Sequence, residues 1–283
     1  MKRTLFLIFV VVFIIIAVGI VFSLNQNQPA VVQISNIHPI LNWSSRVVGG
    51  TVDGKYVNAE MMSTYIENEA DYSLYSMTGL LGKSKGLKSE IRFANGDYYI
   101  EFEKPQEIAF AIQGDWKVLP RAPIIRENNR VENEAIIKEL LSQNGLANAP
   151  ILIKQVVDVD IDGDGTIETF VTACNLTDKD YEEISEGTFK DVNEKYSMIV
   201  MLKKAKGQEK AIVISESYKD AVEYKINYFA DIDGDGKMEL SVNEQNMSSA
   251  IMEAEGFSIS TDKIHAVDGE SLQEVLSIDS SPR

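Results

Sequence analysis

Apolar and polar residues follow three regimes along this chain of 283 residues. Residues 5–22 are apolar or glycine throughout, with no charge and no hydroxyl. As a helix such a run spans about 27 Å, close to the hydrocarbon thickness of a bilayer. Lys2 and Arg3 precede it, and no further positive charge comes before Arg46. The positive-inside rule then leaves the amino terminus in the cytosol and the rest of the chain outside. Residues 1–24 read as a signal-anchor, a single transmembrane helix held in the cell membrane. The alternative is a cleaved signal peptide with the remainder secreted. Against it, the run exceeds the roughly 7–15 residues of a signal core, and no small-x-small site follows. Residues 25–37 are polar with one proline, Pro29, and read as a tether.

From 38 to 126 the dominant period is two, the alternation of a half-buried strand. Segments 47–52 and 55–57 flank Asp53-Gly54, a two-residue hairpin signal. Residues 90–102 read as a second hairpin around Asn95-Gly96. Residues 107–112 and 116–119 read as a third around Gly114-Asp115. Asn58 is placed to cap a short helix reaching about to Glu67, with Met61, Met62, Tyr65 and Ile66 apolar. Three hairpins and one short helix predict a small β-rich module, a barrel or a sandwich. Its aromatics Tyr98, Tyr99, Phe102, Phe110 and Trp116 suit a core or a binding face, and the core reading is preferred. Residues 129–144 carry the clearest helical spacing. Asn129 is the cap and Ala135, Ile136 and Leu140 form the stripe, with Val131 and Ile137 beside it. Gly145 takes the left-handed place after the last turn. Residues 127–149 are therefore a linker helix that joins or packs between two modules.

From 150 to 283 the order is strand, acidic loop, strand, twice over. Residues 152–159 and 169–173 flank the first loop, and 224–230 and 240–243 flank the second. Further strands are expected at 197–202 and 211–215, joined by a Lys/Gly-rich turn, and at 257–260, 263–267 and 274–278. Asp268-Gly269 makes a turn among the last of these. Each repeat is thus a small antiparallel sheet.

The loops themselves carry the chemistry. Asp160-Ile161-Asp162-Gly163-Asp164-Gly165-Thr166-Ile167-Glu168 recurs as Asp231-Ile232-Asp233-Gly234-Asp235-Gly236-Lys237-Met238-Glu239. The copies differ only where Thr166 and Ile167 become Lys237 and Met238. Carboxylates packed this closely repel one another, and burial raises their pKa values further. A divalent cation reverses that cost, and Ca2+ favours a flexible cage of roughly six to eight oxygens. A chain winding round an ion presents alternate residues inward. The first site would then use the side chains of Asp160, Asp162, Asp164 and Glu168 with the carbonyl of Thr166. The second would use Asp231, Asp233, Asp235 and Glu239 with the carbonyl of Lys237, where only the main chain is needed. Gly165 and Gly236 permit the positive φ that folds the loop back, and Gly163 and Gly234 keep the wall thin. An EF-hand would need its bidentate Glu at the twelfth loop position. Here that position is Val171 or Val242, and the flanks read as strand.

The loop resembles the FG-GAP and VCBS-type repeats of integrin-like β-propellers and secreted bacterial proteins. The resemblance rests on Asp-Ile-Asp-Gly-Asp-Gly-x-x-Glu at 160–168 and 231–239 and covers 150–283 alone. It implies that each loop closes a blade hairpin and that calcium, bound by the acids just named, rigidifies it. Glu stands at the ninth position where Asp is common in those families. With two repeats against the roughly four or more blades of a closed propeller, the expectation is a partial propeller, a sandwich, or assembly with the first module. The expected fold is therefore mainly β with few helices (α+β): an N-terminal transmembrane helix, a small β-rich module, then two antiparallel, propeller-blade-like repeats.

Composition narrows the function. Asp and Glu number 43 against 27 Lys and Arg, for a net charge of -16. That balance argues against a nucleic-acid partner, which needs clustered Lys and Arg. The single cysteine, Cys174, excludes an intramolecular disulfide and reads as a small residue in or beside a strand. With two histidines a zinc site is not expected. No Gly-x-Ser-x-Gly, His-Glu-x-x-His or phosphate-cradling loop occurs. The reading that follows is a membrane-anchored extracytoplasmic calcium-binding protein, not an enzyme. It would meet the membrane through its N-terminal helix and an extracytoplasmic protein or glycan as ligand. The alternatives are a hydrolase acting on wall polysaccharide and a calcium or ligand sensor working through a membrane partner.

Overall fold

Period-two alternation dictates strands, and in the computed structural model every strand pairing among the described residues is antiparallel. The structure describes residues 36–88, 97–104, 106–127, 131–205, 208–247, 259–268 and 271–280. The expected signal-anchor, all but the end of the tether, and the Asn95-Gly96 turn lie outside the described residues. Among the described residues no helix is long and apolar enough to cross a membrane.

The first sheet contains β1 (Ile37–Asn42), β2 (Val47–Val52), β3 (Lys55–Asn58), β4 (Ala70–Tyr75), β5 (Leu80–Lys88), β6 (Ile100–Phe102) and β7 (Phe110–Ile112), in the order β3-β2-β1-β7-β4-β5-β6. The β2–β3 hairpin turns on Asp53 and Gly54, at φ 49° and 74°. Two positive φ values are what a right-twisted two-residue hairpin requires. Asn58 caps the next helix by accepting from the Met61 backbone, but that helix ends at Ser63. Met62 and Ile66 are buried beneath it, while Met61 is exposed.

Two hairpin expectations in this region need correction. The partner of β6 is β5, which starts earlier than the expected 90–102 hairpin. Residues 116–119 form no strand, and β7 instead pairs with β1 and β4. The apolar residues of 116–119 pack between sheets, and their backbone serves the second acidic loop.

The second sheet contains β8 (Ile124–Arg126), β9 (Ile153–Val159), β10 (Glu168–Cys174), β11 (Tyr196–Ala205) and β12 (Gln208–Tyr218), in the order β12-β11-β10-β9-β8. Its β11 and β12 run further than the expected 197–202 and 211–215. Helix Val131–Gln143 packs on this sheet through Ile137 and Leu141, which meet Val171, Met198 and Val200. The stripe is rotated from the expected one, with Ala135 exposed. Gly145 follows at φ 73°. A helix at Asp178–Ser185, not anticipated, starts at a reciprocal cap between Thr177 and Asp180.

The third sheet is a meander of β13 (Val222–Ala230), β14 (Glu239–Asn246), β15 (Ile259–Asp268) and β16 (Ser271–Ser280). The strands expected at 257–260 and 263–267 overlap a single strand, β15. Both faces of this sheet are covered, and β13 shows how. Phe229 and Ile226 join Val157, Phe170 and Ile199 of the second sheet. Tyr228 and Ala230 join Ile40, Val48 and Phe110 of the first. Phe110 stacks on Tyr228 at 4.2 Å between ring centres, and Phe170 meets Phe229 edge-on at 4.9 Å. The third sheet is thus the middle layer, and Cys174 lies buried at the end of β10.

Candidate metal centre

Each acidic loop closes a hairpin of its sheet, the first joining β9 to β10 and the second joining β13 to β14. In both, the ninth residue opens the outgoing strand opposite the last residue of the incoming one: Glu168 faces Val159, and Glu239 faces Ala230. That register aims the glutamate back into the loop. Its Oε2 accepts from the backbone of Ile161 (3.2 Å) in one copy and of Ile232 (2.7 Å) in the other.

The remaining hydrogen bonds also match. Asp160 accepts from Gly163 N at 2.7 Å and Gly165 N at 3.2 Å, as Asp231 does from Gly234 N at 2.8 Å and Gly236 N at 3.0 Å. Asp162 and Asp233 accept from the backbones of Asp164 and Asp235. Asp164 and Asp235 accept from Thr166 N and Lys237 N, each at 2.7 Å. All four loop glycines have φ between 79° and 88°. A positive φ at Gly163 and Gly234 is therefore as necessary as at Gly165 and Gly236, beyond the thin wall expected of them.

This wrapping brings three carboxylates together in each loop. Asp160, Asp162 and Glu168 offer oxygens all within 4.8 Å of one another, and so do Asp231, Asp233 and Glu239. Oxygens bound to one Ca2+ at about 2.3–2.6 Å lie no farther apart than about 5 Å. Asp164 and Asp235 stand outside these groups, exposed and turned to the loop backbone. The Thr166 and Lys237 residues adjoin the groups by sequence.

Burial sets the electrostatics. Glu168 and Glu239 are 0% and 2% exposed. Burial, with Asp233 adding, pushes the Glu239 carboxyl up to about 8, against the opposing hydrogen bond from Ile232. Burial likewise raises Glu168 and Asp231. Asp164, at the surface, is instead lowered by the Thr166 backbone. The donor set is oxygen alone, which suits a hard cation. Glu168 Oε1 fits such an ion most pointedly. It is fully buried, and apart from the Lys203 ammonium 3.3 Å away it has no hydrogen-bond partner.

Sequence reasoning did not foresee four residues around the loops. Lys203 Nζ reaches Asp162 Oδ2 at 2.6 Å. The Tyr56 hydroxyl donates to Glu239 Oε1 at 3.0 Å and points at Asp233 Oδ2 at 3.3 Å. Burial, then the nearby Glu239 and Asp233, holds that phenol above its ordinary range. Trp116 donates from Nε1 to the Asp231 carbonyl at 2.7 Å, and Asp231 N donates to Val118 O at 2.8 Å. Arg121 donates to the carbonyls of Asp160, Ile161 and Gly236, tying one loop to the other. A direct backbone bond from Met238 N to Ile161 O, 2.8 Å, does the same. None of these partners has a local signature, because strand register and the path of 114–121 bring them in.

No family model matches the chain, and no curated protein or solved structure does either.

Proposed function

We propose that the chain is a membrane-anchored, extracytoplasmic calcium-binding module with a non-enzymatic binding, adhesion or envelope-assembly role. Calcium in it is mainly structural. The observation that carries this reading is the recurrence of one carboxylate triad, on one set of backbone hydrogen bonds, at the same hairpin position of two sheets. Asp160, Asp162 and Glu168 would hold one ion and Asp231, Asp233 and Glu239 another. Asp164, Asp235 and the Thr166 and Lys237 carbonyls would complete the oxygen shell, as in the FG-GAP and VCBS-type repeats that the sequence resembles. The two flanking antiparallel sheets would then correspond to blades of a partial propeller.

An extracytoplasmic location would suit this use, since extracellular calcium modules work at affinities of about 10⁻⁴–10⁻³ M. The ligand site in this reading is a cleft of about 560 Å³ at the ends of β13 and β14 remote from the second loop. Trp43, 63% exposed, lines it with Glu107, Glu223, Lys225 and Asn227. An exposed indole beside acids and amides suits a glycan, whose ring faces stack and whose hydroxyls hydrogen-bond.

Binding to the folded state alone stabilises by RT ln(1 + [L]/Kd), about 2.7 kcal/mol at a hundredfold excess over Kd. Calcium should therefore raise the melting temperature of the chain by several degrees relative to chelator. Replacing both Asp160 and Asp231 with Ala should abolish the rise. Identical melting curves in calcium and chelator would refute the reading.

A further inference from the structure

The two triads are alike, but what neutralises them is not. In the first loop a side chain of β11 enters the carboxylate group. Thr169 pairs with Leu202 across β10 and β11, which puts the next residue, Lys203, beside Glu168. Its ammonium lies 2.6 Å from Asp162 Oδ2, 3.3 Å from Glu168 Oε1 and 3.9 Å from Asp164 Oδ2. The side chain is only 16% exposed, so this is not a loose surface pair. In the second loop Tyr56 of β3 takes the corresponding place, touching Glu239 and Asp233 with a neutral hydroxyl. Among the described residues no lysine or arginine forms an ion pair with Asp231, Asp233 or Glu239.

An ammonium seated among these carboxylates already neutralises part of the charge that would hold a divalent ion. The two cations compete for the oxygens and, a few ångströms apart, repel one another. A hydroxyl has no charge to repel and can turn its proton away. Resting on the metal reading above, we propose that Lys203 is a built-in counter-ion of the first loop. The second loop then fills with a divalent cation first, and the first loop takes one only when the Lys203 ammonium is displaced. The buried Glu168 Oε1, which has no hydrogen-bond partner besides the Lys203 ammonium 3.3 Å away, is the ligand atom that this displacement frees.

Isothermal titration of the full chain with calcium tests the proposal. Two classes of site are expected, differing at least tenfold in affinity. Asp231→Asn should remove the tight class. Lys203→Met and the polar Lys203→Gln should each strengthen the weak class at least tenfold and leave the tight class in place. The tight class, which Lys203 does not touch, reports in the same titration that each variant is folded. Two equal sites in the wild type, or a weak class that neither Lys203 variant moves, would overturn this proposal alone. Absence of calcium uptake by the wild type and every variant would overturn the metal reading and this proposal with it.

Discussion

Glu239 shows at a single residue what the acidic loops demand of the fold. Its ordinary value is 4.5, and burial pushes it up to about 8. The folded chain therefore keeps a proton that the unfolded chain gives up. Stability from this group is complete below 4.5, falls as pH rises, and is lost through about 8. His265 acts in the opposite sense. Burial lowers it from 6.5, so its contribution is present above that value and is lost as pH falls. Between pH 6.5 and 8 the Glu239 contribution should fall by on the order of 1–2 kcal/mol, and Glu168 and Asp231, also raised by burial, act in the same sense. In chelator the melting temperature should decline across that window. In calcium, which holds the carboxylate ionised, it should not. Glu239→Gln should flatten the chelator curve. A wild-type chelator curve that is level through pH 8 would remove this account of Glu239.

Arg121 belongs to the scale of elements, because it joins two of them. It reaches the first loop through the Asp160 and Ile161 carbonyls and the second through that of Gly236. A hydrogen bond to a charged group contributes roughly 1.5–3 kcal/mol net, and less where, as at Arg121, the side chain is partly exposed. Arg121→Ala should lower unfolding stability by about 2 kcal/mol, seen as a lower urea midpoint at unchanged m-value. Arg121→Lys should rescue little of it, since one ammonium cannot span three carbonyls in a fixed fork. A change below about 0.5 kcal/mol would show that the Met238–Ile161 backbone bond suffices to join the loops.

At the same scale, what the sequence disclosed has clear limits. The Asp53-Gly54 hairpin, the Asn58 cap, the helix before Gly145 and the strands flanking both acidic loops were legible, because each has a local cause. Three of the four acids in each loop converge, and spacing alone pointed to them. Residues 116–119 were misread because their alternation serves burial between sheets, not pairing. The helix at Asp178–Ser185 was overlooked although Thr177 and Asp180 carry its cap. Lys203 and Tyr56 were beyond reach, since each comes to its loop through long-range strand register.

In the whole unit the third sheet is the middle layer, and both loops leave hairpins of adjacent layers. Aromatic contacts from Phe229 on one face and Tyr228 on the other fix its position. The segment 114–121 then crosses to the loops and seats Trp116 against the second one. Its ring atoms come within 3.4 Å of where a Cβ on Gly234 would stand. Trp116 is one of two tryptophans in the chain, and Tyr56 touches the same loop. That placement makes terbium, a luminescent surrogate for calcium, a direct reporter of the second site. On aromatic excitation of the full chain, sensitised terbium emission should appear, should be displaced by excess calcium, and should be lost in Asp231→Asn. No sensitised emission, or emission that survives both calcium and the Asp231 substitution, would contradict the claim that these carboxylate loops hold a divalent ion.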